Sequence, residues 1–163
     1  MKMKKIVYFL SISLLLFSCN DSSVDIEGAK IEAKAAIAGQ FDFWASGSLE
    51  QAKSTFSSDA VLIGTDEAEY LTGWDEIEPS IKGQLAIEDP KFVTRDLNMV
   101  MSSGGDMASY TQLVDFTFSV GGEAGEIKNV RNSGVVKKTD GQWKVVQIHW
   151  SIGVQGQAVE YEY

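Results

Sequence analysis

The feature that most limits what this chain can fold into is a change of period near Pro90. Before it, apolar residues recur at helical spacing in short segments. After it, four long segments, 92–101, 107–120, 127–137 and 143–154, alternate polar with apolar residues or are rich in β-branched types. Between them stand Ser103-Gly104-Gly105, Gly121-Gly122-Glu123-Ala124-Gly125 and Thr139-Asp140-Gly141-Gln142, which are hairpin signals. Helices first and a four-strand meander after them predict an α+β fold. Its cone-like, curved antiparallel sheet would wrap on the N-terminal helices.

The helical part resolves further. Across 28–46 the apolar positions Ala29, Ala33, Ala36, Ile37, Phe41 and Trp44 follow steps of three and four, which predicts one amphipathic helix closed by Gly47. Ser48-Leu49-Glu50-Gln51 is a capping box and predicts a second helix to about Phe56. Residues 60–63 (Ala-Val-Leu-Ile) form a short apolar strand, and after a turn around Asp66 residues 69–72 form another. A third helix starts at Gly73-Trp74, where Asp75 and Glu76 suit the positive end of the helix dipole and Pro79 falls in an early turn.

The N-terminus carries a different message. Lys2, Lys4 and Lys5 precede an apolar run from Ile6 to Phe17 that stops at Ser18-Cys19, the pattern of an export signal. About 12 apolar residues are too few to span a bilayer, which takes roughly 20. Leu16-Phe17-Ser18-Cys19 is similar to a bacterial lipobox, in which the cysteine is acylated and becomes the new N-terminus. Cys19 is the chain's one cysteine, so no internal disulfide can form. The expected organisation is a signal peptide over 1–18, a polar tether over 19–27 starting at the lipidated Cys19, one domain over 28–154 and a tail over 155–163. The expected location is the bacterial cell envelope, with the protein exported and held to the membrane by its lipid.

Charge and composition exclude several functions. The net charge is −9, and removal of residues 1–18 would take away three lysines and no acid. Arg95 and Arg131 are the only arginines and the lysines are scattered, so no basic footprint for nucleic acid exists. With His149 as the single histidine and no ligand-spaced cluster, neither a metal site nor another cofactor is expected.

Two stretches carry a likeness. One runs from Phe56 through Ser57-Ser58-Asp59-Ala60-Val61-Leu62-Ile63-Gly64-Thr65-Asp66 and Glu69 to Gly73. The other is Asp140-Gly141-Gln142-Trp143-Lys144-Val145-Val146-Gln147-Ile148-His149-Trp150-Ser151. Together they resemble the SnoaL-like branch of the nuclear-transport-factor-2-like superfamily, the cone-shaped fold shared with ketosteroid isomerase. The pairing is also similar to the association domain of calcium/calmodulin-dependent kinases. The likeness covers about residues 28–154. It implies the fold and leaves activity open, since one fold hosts many functions. For an isomerase it implies an aspartate base just after the first core strand, where this chain has Gly64. Asp66 follows two residues on, with Glu67 and Glu69 close by. No tyrosine lies on the first helix; Phe41, Phe43 and Trp44 stand in that region.

Strand parity sorts the faces. On the last strand Val146, Ile148, Trp150 and Ile152 share the face expected to be concave, and Val145, Gln147, His149 and Ser151 the convex one. On the 107–120 strand Tyr110, Gln112, Val114, Phe116 and Phe118 are concave. Arg131 falls on the convex side between Val130 and Asn132. The ligand-binding candidates are Trp44, Trp74, Tyr110, Gln112, Asn132 and Trp150, a mostly apolar set with few polar groups to orient a guest. The catalytic candidates are Asp66 as base, Tyr70 or Tyr110 polarising a carbonyl, and His149 as a general base, although parity favours His149 as a convex-face or dimer-interface residue. The leading expectation is a membrane-anchored domain that binds an apolar or aromatic small molecule and forms a homodimer through its sheet. The alternatives are an isomerase, cyclase or dehydratase with a carboxylate base, and an assembly module.

Overall fold

Asp25 opens the first helix by accepting the Gly28 backbone N–H at 2.9 Å. The computed structural model describes residues 24–153. The signal, Cys19, the first half of the tether, Val154 and the tail lie outside the described residues. Because of the Asp25 cap, α1 (Ile26–Gly39) starts inside the stretch expected as tether, and it buries Ala33 and Ile37. The single helix expected over 28–46 is broken at Gln40 and Phe41, and α2 (Asp42–Ser46) follows. The reason is chemical: the buried Gln40 side chain donates to the Ile37 carbonyl at 2.6 Å, taking one of the acceptors a helix end leaves open. Gly47, in the left-handed conformation at φ 64°, closes α2. The capping box acts as expected, since Ser48 Oγ accepts the Gln51 N–H at 3.1 Å to start α3 (Leu49–Thr55).

Next come β1 (Phe56–Ile63), β2 (Tyr70–Thr72), α4 (Trp74–Gln84), β3 (Glu88–Met101), β4 (Met107–Val120), β5 (Glu123–Thr139) and β6 (Gln142–Ser151). The six strands make one sheet in the order β2-β1-β6-β5-β4-β3. The meander β3 to β6 is antiparallel throughout, as the hairpin signals predict, and β1 lies parallel beside β6. The sheet is therefore mixed rather than wholly antiparallel. Parallel neighbours need a long connection, and everything from β2 to β5 supplies it. Two hairpins turn on two residues with positive φ, Gly121-Gly122 (59° and 83°) and Asp140-Gly141 (52° and 79°). That twist matches the flanking strands.

The curvature comes from bulges. Register slips between Arg95 and Asn98 on β3 and between Val114 and Phe116 on β4, where Asp96 and Asn129 each take φ 57°. A bulge bends its strand and increases the local twist. Asp115 clips the two together, accepting the Asn129 N–H at 2.8 Å and meeting Arg95 Nη1 at 2.8 Å as an ion pair without hydrogen-bond alignment. The Arg95 Nη2 donates to Asn129 Oδ1 as well. A third bulge corrects the parity of β6. Val145 opposes Val136 and Gln147 opposes Val135, so Val146 is the extra residue. Val145, placed by alternation on the convex face, is buried at 1% exposure, and Val146 is only half-buried. Past the bulge the alternation holds.

The main core joins Ala33, Ile37, Phe43, Ala52, Ile77 and Ile81 from the helices to Leu62, Tyr110, Val136, Val145 and Ile148 from the sheet. Among the described residues no helix is long and apolar enough to cross a membrane.

Candidate functional site

The bent sheet and the helices do not meet everywhere. Between them lies a cavity of about 190 Å³, walled by Trp44, Phe56, Leu62, Phe92, Phe116, Val130, Ile148 and Trp150 among others. Its aromatic wall is built by short-range stacking. Phe43 sits 4.0 Å from Trp44, Trp44 5.0 Å from Phe92, and Phe92 4.6 Å from Phe116. Trp150 meets Trp44 edge-on at 6.3 Å and 89°. Offset and edge-to-face pairs of this kind are the favoured geometries for aromatic rings. Past the break between α1 and α2, Phe41, Phe43 and Trp44 all pack on aromatic rings of the sheet, and of the three Trp44 lines the cavity. Of the lining residues Thr65 and Ile152 are exposed, while Glu69 and Gln84 are half-buried.

Of the sequence-derived ligand residues, Trp44 and Trp150 line the cavity. Trp74 does not; it is buried behind the wall, tilted against Phe56 at 6.3 Å, and its Nε1 donates to Glu78 at 2.7 Å. Tyr110, Gln112 and Asn132 do not line it either. They lie on the concave face as parity requires, but they spend their polar atoms on the interior. The Tyr110 hydroxyl donates to Gln40 Oε1 at 2.7 Å, and Gln112 Nε2 donates to Asn132 Oδ1 at 2.9 Å. Burial pushes the Tyr110 phenol far above its usual range, against smaller opposing effects of Gln40 and Asn132, so it stays protonated. Its hydroxyl packs on Gly134, where an added Cβ would come within 2.6 Å of Oη and 2.5 Å of the Gln147 carbonyl. The Asn132 amide nitrogen is buried and has no hydrogen-bond partner.

The catalytic candidates are not brought together. Asp66 is exposed, accepts the Ala68 N–H at 2.9 Å and does not line the cavity, so it is a turn former. Tyr70 stands 68% exposed on β2, at the sheet edge opposite Ile63. His149 is half-buried on the face away from the cavity, in register with Ser133 and Ile63. Arg131 is exposed there too. The one ionisable side chain lining the cavity, among the described residues, is Glu69. Its Oε2 accepts the backbone N–H groups of Thr65 at 3.0 Å and Asp66 at 3.2 Å. Phe92, Phe116, Ile127 and Gln84 complete the lining without having stood out in the sequence; only the apolar parity of their strands pointed to some of them.

Comparison with known proteins agrees with this architecture. A SnoaL-like domain model matches residues 33–155. No protein of curated function matches the chain. Among solved structures, a protein from Xanthomonas campestris, provisionally named a calcium/calmodulin-dependent protein kinase II association domain, superposes with a TM-score of 0.64. It is 24% identical over 73% of this chain and 86% of its own. A provisionally named scytalone dehydratase from Novosphingobium aromaticivorans gives 0.70 at 16% identity, covering 80% of this chain and 88% of its own. A provisionally named dehydratase of the nuclear-transport-factor-2-like family from Streptomyces avermitilis gives 0.67 at 16% identity, covering 78% and 99%. At such identities these structures show the fold and no shared activity. The match over most of the described residues, on this cone of helices and mixed sheet, makes the chain a member of the SnoaL-like domain family, within the nuclear-transport-factor-2-like fold.

Proposed function

We propose that this protein is a small-molecule-binding domain whose guest is apolar or aromatic. The observation that carries the reading is the cavity itself: about 190 Å³, walled mostly by aromatic and aliphatic side chains, with Thr65, Glu69 and Gln84 as the polar side chains among them. Ligand sites generally have this composition. Size sets the class of guest. A dry cavity of about 150 Å³ lined by similar side chains accepts benzene, so this one suits a molecule of one or two fused rings. The acyl group on Cys19 and export to the cell envelope belong to the same proposal and rest on the N-terminal sequence. A homodimer paired through the convex face is part of it too.

The isomerase or dehydratase alternative draws on the names of structural neighbours. It loses its base if Asp66 is that base, because Asp66 is exposed and committed to its turn. The binding reading is tested by calorimetric titration of the chain with 2-naphthylmethanol, a neutral fused-ring probe. Binding is expected, and Ile127→Trp, which adds bulk at a half-buried lining position, should abolish it while the fold persists. Undiminished binding to that variant would place the probe elsewhere and remove the support.

A further inference from the structure

Glu69 sits where an apolar cavity has least use for it. Leu62 faces the cavity from β1, and Gly64, two residues on, lines it as well. A side chain at residue 64 would therefore point inward. It would also collide with Glu69: an added Cβ would lie 2.0 Å from Oε2, 2.5 Å from Cδ and 2.6 Å from the Glu69 Cβ. The Glu69 carboxyl thus fills the space that a residue-64 side chain would take, and the missing Cβ at Gly64 is what admits it. Oε2 is held by the Thr65 and Asp66 amides. Among the described residues neither a hydrogen-bond donor for Oε1 nor a lysine or arginine paired with Glu69 is found, although four other carboxylates of the chain have such ion pairs.

Resting on the binding reading above, we infer that the cavity selects an aromatic guest carrying one protonated amine, whose ammonium meets Glu69 while its rings enter the aromatic wall. The backbone amides fix the carboxylate before the guest arrives, so little side-chain freedom is lost on binding. An ammonium donating to a carboxylate makes a charge-assisted hydrogen bond, roughly twice as strong as a neutral one. The excess of negative charge on the chain, −9 overall, attracts cations and repels anionic guests.

The test uses three probes of one shape at pH 7: 2-naphthylmethylamine (protonated), 2-naphthylmethanol and 2-naphthoate, titrated into the full chain and two variants. The amine should bind at least tenfold more tightly than the alcohol, and naphthoate weakest. Glu69→Gln keeps the shape and removes the charge; it should weaken the amine tenfold or more and change the alcohol less than twofold. Gly64→Ala keeps the charge but displaces the carboxyl and, because the new Cβ also meets the Glu69 Cβ, shifts the 64–69 turn with it; it should weaken the amine as well. If the alcohol binds and the amine binds no better, or if Glu69→Gln weakens both alike, Glu69 is a turn staple only and the inference is overturned while the cavity reading stands. If none of the three binds, the cavity reading falls and takes this inference with it.

Discussion

At the scale of single residues, the interior polar set decides more than its position in the sequence suggested. Tyr110 and Gln40, seventy residues apart in the chain, share one buried hydrogen bond of 2.7 Å. Tyr110→Phe would leave Gln40 Oε1 buried without a donor, and an unsatisfied buried group costs about 1–3 kcal/mol. The expected loss in a urea melt falls in that range, with the fold retained. Gly134→Ala should cost a similar amount. Its Cβ would press on the Gln147 carbonyl and the Tyr110 hydroxyl together, and overpacking a filled core typically costs about 1–3 kcal/mol. Trp44 and Trp150 were legible as cavity residues because helical spacing and strand parity both point them inward. Trp74 was not separable from them: its spacing is equally apolar, and only the fold shows that Phe56 stands between it and the cavity. Tyr110, Gln112 and Asn132 were legible as concave-face residues. Their partners were not, because each is satisfied by a group distant in the chain.

At the scale of elements, caps and hairpins announce themselves locally and bulges do not. The Ser48 cap of α3 is visible in four consecutive residues. Ser48→Ala should lower stability by about 1 kcal/mol, measured by thermal or chemical melting. The bulges at Asp96, Asn129 and Val146 leave no local signature beyond two residue types that tolerate positive φ. That is why Val145 and Val146 exchanged places relative to alternation. The Asp115 clip across β3, β4 and β5 gives a pH prediction. The Asn129 amide first, and then the Arg95 guanidinium, hold the Asp115 carboxyl below its usual range. A group whose folded pKa is depressed contributes stability that is complete above the unfolded value, about 3.9 for aspartate, and lost as pH falls through the folded one. The midpoint of urea unfolding should therefore drop on acidification below about pH 4. Asp115→Asn should show a shallower drop over the same window. An equal drop in both proteins would assign acid sensitivity to other carboxylates, Glu32 and Asp59 among them, which are also held low.

At the scale of the whole molecule, the order of helices and strands carried the fold: a capped helical half followed by a period-two half closes into the cone observed. The parallel pairing of β1 with β6 was not legible, since nothing local to either strand specifies a partner some ninety residues away. The break at Gln40 was hidden for a related reason, in that a glutamine on an apolar stripe looks like an interruption rather than an anchor. The cavity is a property of this scale too. It exists because bulges bend the sheet away from the helices, and no stretch of sequence contains it. Membrane attachment is argued from the N-terminus alone, and Cys19→Ser should release the protein from the membrane fraction and abolish labelling by a fatty-acid analogue.

On this reading the space between Trp44 and Trp150 holds a guest. The most direct test is a crystal structure of the chain grown with 2-naphthylmethanol. Fused-ring density is expected against Trp44, Phe92 and Trp150. A cavity closed by its own side chains, or a probe bound only on the outer face of the sheet, would contradict it.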